Sequence, residues 1–207
     1  MKRKPDLHHR RSLRLPGHNY AEAGVYFVTL CTLHRQCYLG EVTGGVSSLS
    51  AAGRLALGAW QAIPVRFPHV RLDSFVIMPN HLHGILVIGD ATAAWPGTAS
   101  DLESAQPPTT TLGSALAVGS SRHPTSVRSR PTLGQVVAYF KYQSSKLINN
   151  LRVTPGVPVW QRNYFEHIVR HQQSLERIRD YIENNPLRWH LDRENPAISG
   201  PEDPWPM

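Results

Sequence analysis

Two histidines one residue apart, in His81-Leu82-His83, are the sharpest chemical feature of this 207-residue chain. They follow the turn signal Pro79-Asn80 and open an apolar run ending at Ile88, which reads as a strand. Side chains alternate across a strand, so both imidazoles share a face and can reach one divalent ion, while Leu82 turns to the core. The triplet is short and arises often by chance, and two histidines leave a metal site incomplete. Further along, Tyr181 and Asn185 lie one helical turn apart beside the stripe Leu175, Ile178 and Ile182. Taken singly, that tyrosine is a core-edge residue and the asparagine, just before Pro186, a cap or turn residue. Taken with the histidines they describe a reaction. An ion held by His81, His83 and Asn185 can polarise a phosphodiester. Tyr181 can then attack the phosphorus and keep the bond as a phosphotyrosine, with a phenolate that leaves far more readily than an alkoxide. A free phenol has a pKa near ~10 and needs help to lose its proton, and the sequence identifies no base. The mixed nitrogen and oxygen set accepts Mg²⁺, Mn²⁺ or several other divalent ions.

These residues need elements to carry them. Val25 to Cys31, rich in β-branched and aromatic residues, predicts a first strand. Ser50 caps a helical repeat over residues 50–63 that Pro64 ends. Leu72 to Met78 and His83 to Ile88 flank the Pro79-Asn80 turn as a hairpin. Thr132 and Gln135 form a capping box before a helix whose face is Leu133, Val136, Val137, Phe140, Ser144, Leu147, Ile148 and Leu151. Val159 to Val169 reads as extended, and Ser174 caps a last helix that Pro186 stops. Glu166 and His167 would face opposite sides of that extended segment, so at most one reaches the site. The order strand, helix, strand, strand, helix, strand, helix predicts an α+β fold. Helices pack on one face of an antiparallel sheet, leaving the other face for a substrate.

Residues 90–131 are dominated by Ala, Thr, Ser, Pro and Gly without a period, which predicts a disordered insertion in a single domain spanning 21–193. A basic arm covers 1–20 and a short tail 194–207. The net charge is +7, which favours a polyanionic partner, nucleic acid or an acidic membrane surface. The candidate phosphate contacts are Arg10, Arg11, Arg14, Lys141, Lys146, Arg162 and Arg188. Two cysteines, Cys31 and Cys37, fit neither a redox nor a zinc pattern, and a reducing cytosol is the simplest compartment. No apolar run approaches the ~18 residues that span a bilayer, and no secretory signal follows the charged N-terminus. A G-x-S-x-G elbow and a phosphate-binding G-x-x-x-x-G-K-[ST] loop are both absent.

The ordered blocks resemble the REP-associated tyrosine transposases, a branch of the single-tyrosine HUH (His, hydrophobic, His) transposases. The resemblance runs through Leu13-Arg14-Leu15-Pro16, Tyr26 to Thr32, Val76 to Ile85, Phe140-Lys141, Val159 to Arg170 and Ile178 to Trp189. It covers most of the chain except 90–131 and the last dozen residues. It implies an RNA-recognition-like (ferredoxin-like) sheet, Tyr181 as nucleophile, His81 and His83 as metal ligands, and Asn185 as the position that can supply a third. It implies single-stranded DNA bearing a hairpin as partner, cut near its foot through a 5′-phosphotyrosine. Some relatives are dimers that exchange the tyrosine helix and others monomers, so a homodimer is admitted. Two rival readings share the residues: a DNA-hairpin binder without chemistry, and a metal-dependent phosphoesterase that uses water. A membrane role leaves the motif set to coincidence.

Overall fold

The computed structural model describes residue 20, residues 22–89 and residues 130–198 of the chain. The basic arm with Arg10, Arg11 and Arg14, and nearly all of the insertion, therefore lie outside the described residues. The centre is a four-stranded sheet of order β4-β5-β1-β6, antiparallel throughout. Its strands are β1 (Gly24–Cys31), β4 (Val70–Ile77), β5 (His81–Ile88) and β6 (Phe165–Val169). A separate hairpin pairs β2 (Gly40–Thr43) with β3 (Val46–Leu49), short strands for which the sequence offered no strong alternation.

The pleat divides the sheet's side chains. Tyr26, Val28, Leu30, Leu82, Leu86 and Ile88 enter the main core, with α1 (Ala51–Gln61) and α3 (Leu133–Arg152) packed against them. The helix ends are built as expected. Ser50 Oγ accepts from Gly53 N, and Thr132 and Gln135 complete a reciprocal capping box. Pro64 does not close the first helical region; it sits in the first turn of a second short helix, α2 (Ile63–Arg66), where its missing N–H costs nothing. Gly84 sits under Trp60, whose ring leaves no room there: an added Cβ would lie 2.5 Å from Cζ2. Ser144 belongs on the apolar face of α3 because it accepts from Trp160 Nε1 and donates to Phe140 O. Leu147 and Leu151, expected on that face, are 40% and 49% exposed.

The opposite face differs from the expectation of an open surface. Val25, Phe27, Ile85 and Val169 are covered by Leu175 and Ile182 of α4 (Gln172–Asn184). The helices are thus shared between both faces, and α4 occupies the one that carries His81 and His83. The start of α4 is at Gln172 with His171 before it, so Ser174 lies inside the helix rather than at its cap. Of the extended stretch from Val159, only Phe165–Val169 joins the sheet; Trp160 makes an isolated bridge to Thr32.

Candidate active site and metal centre

Strand register places the histidines. His83 pairs with Thr29 and His81 with Cys31, so both imidazoles rise from the face under α4. Both are buried. His83 Nδ1 lies 2.8 Å from Thr29 Oγ1, and His81 Nδ1 lies 2.9 Å from Asn80 Oδ1. The orientation of the Asn80 amide is fixed, because its Nδ2 donates to the carbonyls of Arg35 and Glu194. Its Oδ1 can only accept, so His81 carries its proton on Nδ1 and presents a lone pair at Nε2. Thr29 allows the same tautomer at His83. The two Nε2 atoms are 3.0 Å apart. Two nitrogens that close fit a shared cation, because ligands ~2.1 Å from a metal at right angles stand about this far apart.

Burial drives the His81 pKa down to about 3, with the charges of Arg35 and Arg193 adding to the effect. Burial also holds His83 well below the ordinary histidine value. Both rings are therefore neutral at physiological pH, the form that binds metal.

Tyr181 projects from α4 to this point. Its Oη lies 3.2 Å from His83 Nε2, and its ring meets Phe27 edge-on while Phe27 stacks on His83. Burial pushes the phenol up to about 12. The Asp192 carboxylate adds to this, and the Arg193 charge and a hydrogen bond from Asn185 oppose it. Asn185, the C-cap of α4, is buried with an Oδ1 that has no hydrogen-bond partner.

Asp192 is the residue that sequence reasoning missed. With His81 and His83 it forms a group whose three ligand atoms lie within 4.8 Å of one another. Its Oδ2 is 3.7 Å from His81 Nε2, buried and without a hydrogen-bond partner. An orphaned carboxylate oxygen facing two imidazole lone pairs fits a divalent cation, and this donor set suits Mn²⁺ better than the oxygen-preferring Mg²⁺. No signal in the sequence marks Asp192, which lies past Pro186 in a Pro- and charge-rich tail. Asn80, read as a turn residue, also turns out to hold His81.

The expected phosphate contacts divide. Lys141 donates to the carbonyls of Gln161, Arg162 and Asn163, and burial lowers its pKa to about 8. Its ammonium is committed to the backbone. Lys146 and Arg162 are exposed along a groove of about 560 Å³ between the C-terminal half of α3 and residues 155–162. That groove shares no residue with the histidine site. Arg188 is exposed on the 3₁₀ turn after α4. His167 is on the sheet face of the histidines but two strands away, and Glu166 points to the main core.

No family model matches the chain. Its fold is similar to the structure of a REP-associated tyrosine transposase bound to a REP hairpin, with a TM-score of 0.47, 14% identity, and coverage of 85% of this chain and 74% of that one. It is also similar to a Deinococcus radiodurans R1 protein assigned provisionally as a transposase, with a TM-score of 0.42, 14% identity, and coverage of 83% and 97%. In sequence it is 37% identical over 188 residues to an uncharacterized protein of Haemophilus influenzae strain Rd, covering 90% of this chain and 93% of that protein. Identity of that degree along nearly the whole of both chains means that this chain belongs to the family of the Haemophilus influenzae protein.

Proposed function

We propose that the chain is a REP-associated tyrosine transposase, which nicks and rejoins single-stranded DNA at hairpin-bearing sites through a 5′-phosphotyrosine. The observation that carries this reading is the meeting of Tyr181 Oη with His83 Nε2 at 3.2 Å, beside a second imidazole nitrogen 3.0 Å further on. A nucleophile of the right type stands at a metal-ready pair.

His81 and His83, with Asp192 or Asn185, would hold a divalent ion, which when bound would supply Lewis-acid stabilisation of charge on the scissile phosphate. The chain's own residues do the rest. Phe27 and His83 fix the ring of Tyr181, and its hydroxyl, 3.2 Å from His83 Nε2, points to the same place as the imidazole nitrogens. With a pKa near 12, the phenol does not ionise unaided at neutral pH, so it passes its proton to solvent water as it attacks. The Oη–P bond forms, the P–O3′ bond breaks, and the 3′ oxygen leaves as a hydroxyl after gaining a proton. Rejoining reverses the bonds: a 3′-hydroxyl attacks the phosphotyrosine and the phenolate departs. Lys146, Arg162, Arg188 and the arm residues Arg10, Arg11 and Arg14 contact phosphates in this reading.

The test is a denaturing gel of the protein with Mn²⁺ or Mg²⁺ and hairpin oligonucleotides drawn from DNA flanking its gene. A protein–DNA adduct lost in Tyr181→Phe, in His81→Ala and with chelator is expected. Cleavage that persists in Tyr181→Phe would instead establish a water-using phosphoesterase. Binding without cleavage or adduct would leave a hairpin binder.

A further inference from the structure

Asp192 reaches the histidines only because the chain beyond α4 folds back over them. Pro186–Leu191 forms a 3₁₀ turn, and Trp189 on it lies beside His81 with ring centroids 6.0 Å apart. Asp192 Oδ1 accepts from Glu194 N at 2.7 Å, so the main chain two residues on orients the carboxylate. Oδ2 is then the oxygen turned toward the metal-ready pair, on a side chain only 5% exposed, with nothing to accept from. A buried carboxylate oxygen in that state is costly unless a cation completes it.

Glu194 anchors the fold-back. Its Oε2 pairs with Arg35 Nε at 2.7 Å and accepts from the Cys31 thiol at 3.4 Å. Its backbone carbonyl accepts from Asn80 Nδ2, and the other end of that same amide accepts from His81. One asparagine therefore touches both a histidine ligand and the segment that delivers the carboxylate.

We propose that Asp192 is the anionic third ligand of the cation held by His81 and His83. A clasp of Glu194 with Arg35 and Asn80 delivers it, so that cation binding and docking of residues 186–198 are one coupled equilibrium. The inference rests on the reading of the two histidines as metal ligands and is independent of what Tyr181 does. Coupling is reciprocal: whatever the cation gains from the docked segment, the segment gains from the cation.

The experiment titrates the full-length chain with Mn²⁺ alone, without DNA, by calorimetry and by electron paramagnetic resonance. Hydrogen exchange of the amides in residues 186–198 is followed with and without Mn²⁺. Asp192→Asn is expected to weaken Mn²⁺ at least about 10-fold and to abolish the slowing of exchange that Mn²⁺ produces in the unaltered chain. Glu194→Gln leaves every ligand atom in place, and is expected to weaken Mn²⁺ by several-fold through the clasp alone. Mn²⁺ binding within twofold of the unaltered chain in Asp192→Asn, or exchange in residues 186–198 that ignores Mn²⁺, overturns the proposal. If such a result accompanies a Tyr181-dependent DNA adduct, the clasp fails and the nucleophile stands. A metal-coupled clasp with no adduct on any hairpin upholds the clasp and removes the nucleophile.

Discussion

At the scale of single residues, the site is a set of lone pairs held in place by their neighbours. Asn80 and Thr29 each occupy one nitrogen of a histidine and so free the other. Such partners usually govern metal affinity by 10–100-fold. Asn80→Ala and Thr29→Val are therefore expected to weaken Mn²⁺ by about 10-fold or more in a calorimetric titration. Tyr181→Phe should leave Mn²⁺ binding nearly unchanged while removing the adduct. The buried histidines also set a pH dependence. His81 has a pKa of about 3 in the folded chain, against about 6.5 when unfolded, so the unfolded chain binds more protons between those values. Its contribution is fully present above the unfolded value and is lost as pH falls toward 3. The expected slope for His81 is on the order of 1 kcal/mol per pH unit. Urea midpoints of the metal-free chain should fall between pH 7 and pH 5, and His81→Gln should flatten that fall. Parallel curves for the two proteins would count against the neutral buried histidine.

At the scale of elements, the question is what fixes α4 on the sheet. Leu175 and Ile182 give it an apolar footing, which resists sliding weakly. Arg179 adds direction: its Nε and Nη2 donate to Asp73 Oδ1 and Oδ2 at 2.8 and 2.7 Å. Asp73 sits in the bulge of β4 between Leu72 and Phe75, where the extra residue turns its carboxylate toward the helix. Arg179 stands two residues from Tyr181, so the pair fixes the rotation that aims the phenol. Asp73→Ala should cost only about 1 kcal/mol of stability, since the pair is still partly exposed to solvent. Adduct formation should slow more than that loss explains. Reversing the pair, with Asp73→Arg and Arg179→Asp together, should recover part of the rate. Equal rates in Asp73→Ala and the unaltered chain would show that the apolar footing suffices. On the other face, Gly84→Ala should destabilise by about 1–3 kcal/mol in denaturant unfolding, because its methyl enters the space of Trp60 beside the histidine strand.

At the scale of the whole molecule, part of the positive charge is already committed within the fold. The chain carries +7, yet Lys141 spends its charge on backbone carbonyls and Arg179 on Asp73. The exposed cations of the α3 groove, Lys146 and Arg162, remain for a polyanion. If single-stranded DNA crosses this groove, log K falls with log salt by about 0.7 for each phosphate contacted. Lys146→Ala and Arg162→Ala should each reduce that slope by roughly one contact's worth in a fluorescence binding series. An unchanged slope would place the DNA elsewhere. Among the described residues, no helix is long and apolar enough to cross a membrane.

What the sequence determined by itself was periodic and local. A period of two put His81 and His83 on one face, and a period near 3.6 put Tyr181 beside the stripe of α4. The capping residues Ser50, Thr132 and Gln135 were legible because a cap acts within one turn. What only the tertiary structure decided joins residues far apart in the chain. Asn80 holds Glu194 across 114 positions, and Arg179 holds Asp73 across 106. Periodicity carries no information at those separations. The same limit hid the covering of the second sheet face, the committed charge of Lys141 and the exposure of Leu147 and Leu151. Each of these depends on which surface an element meets, and an amphipathic stripe states only that it must meet one.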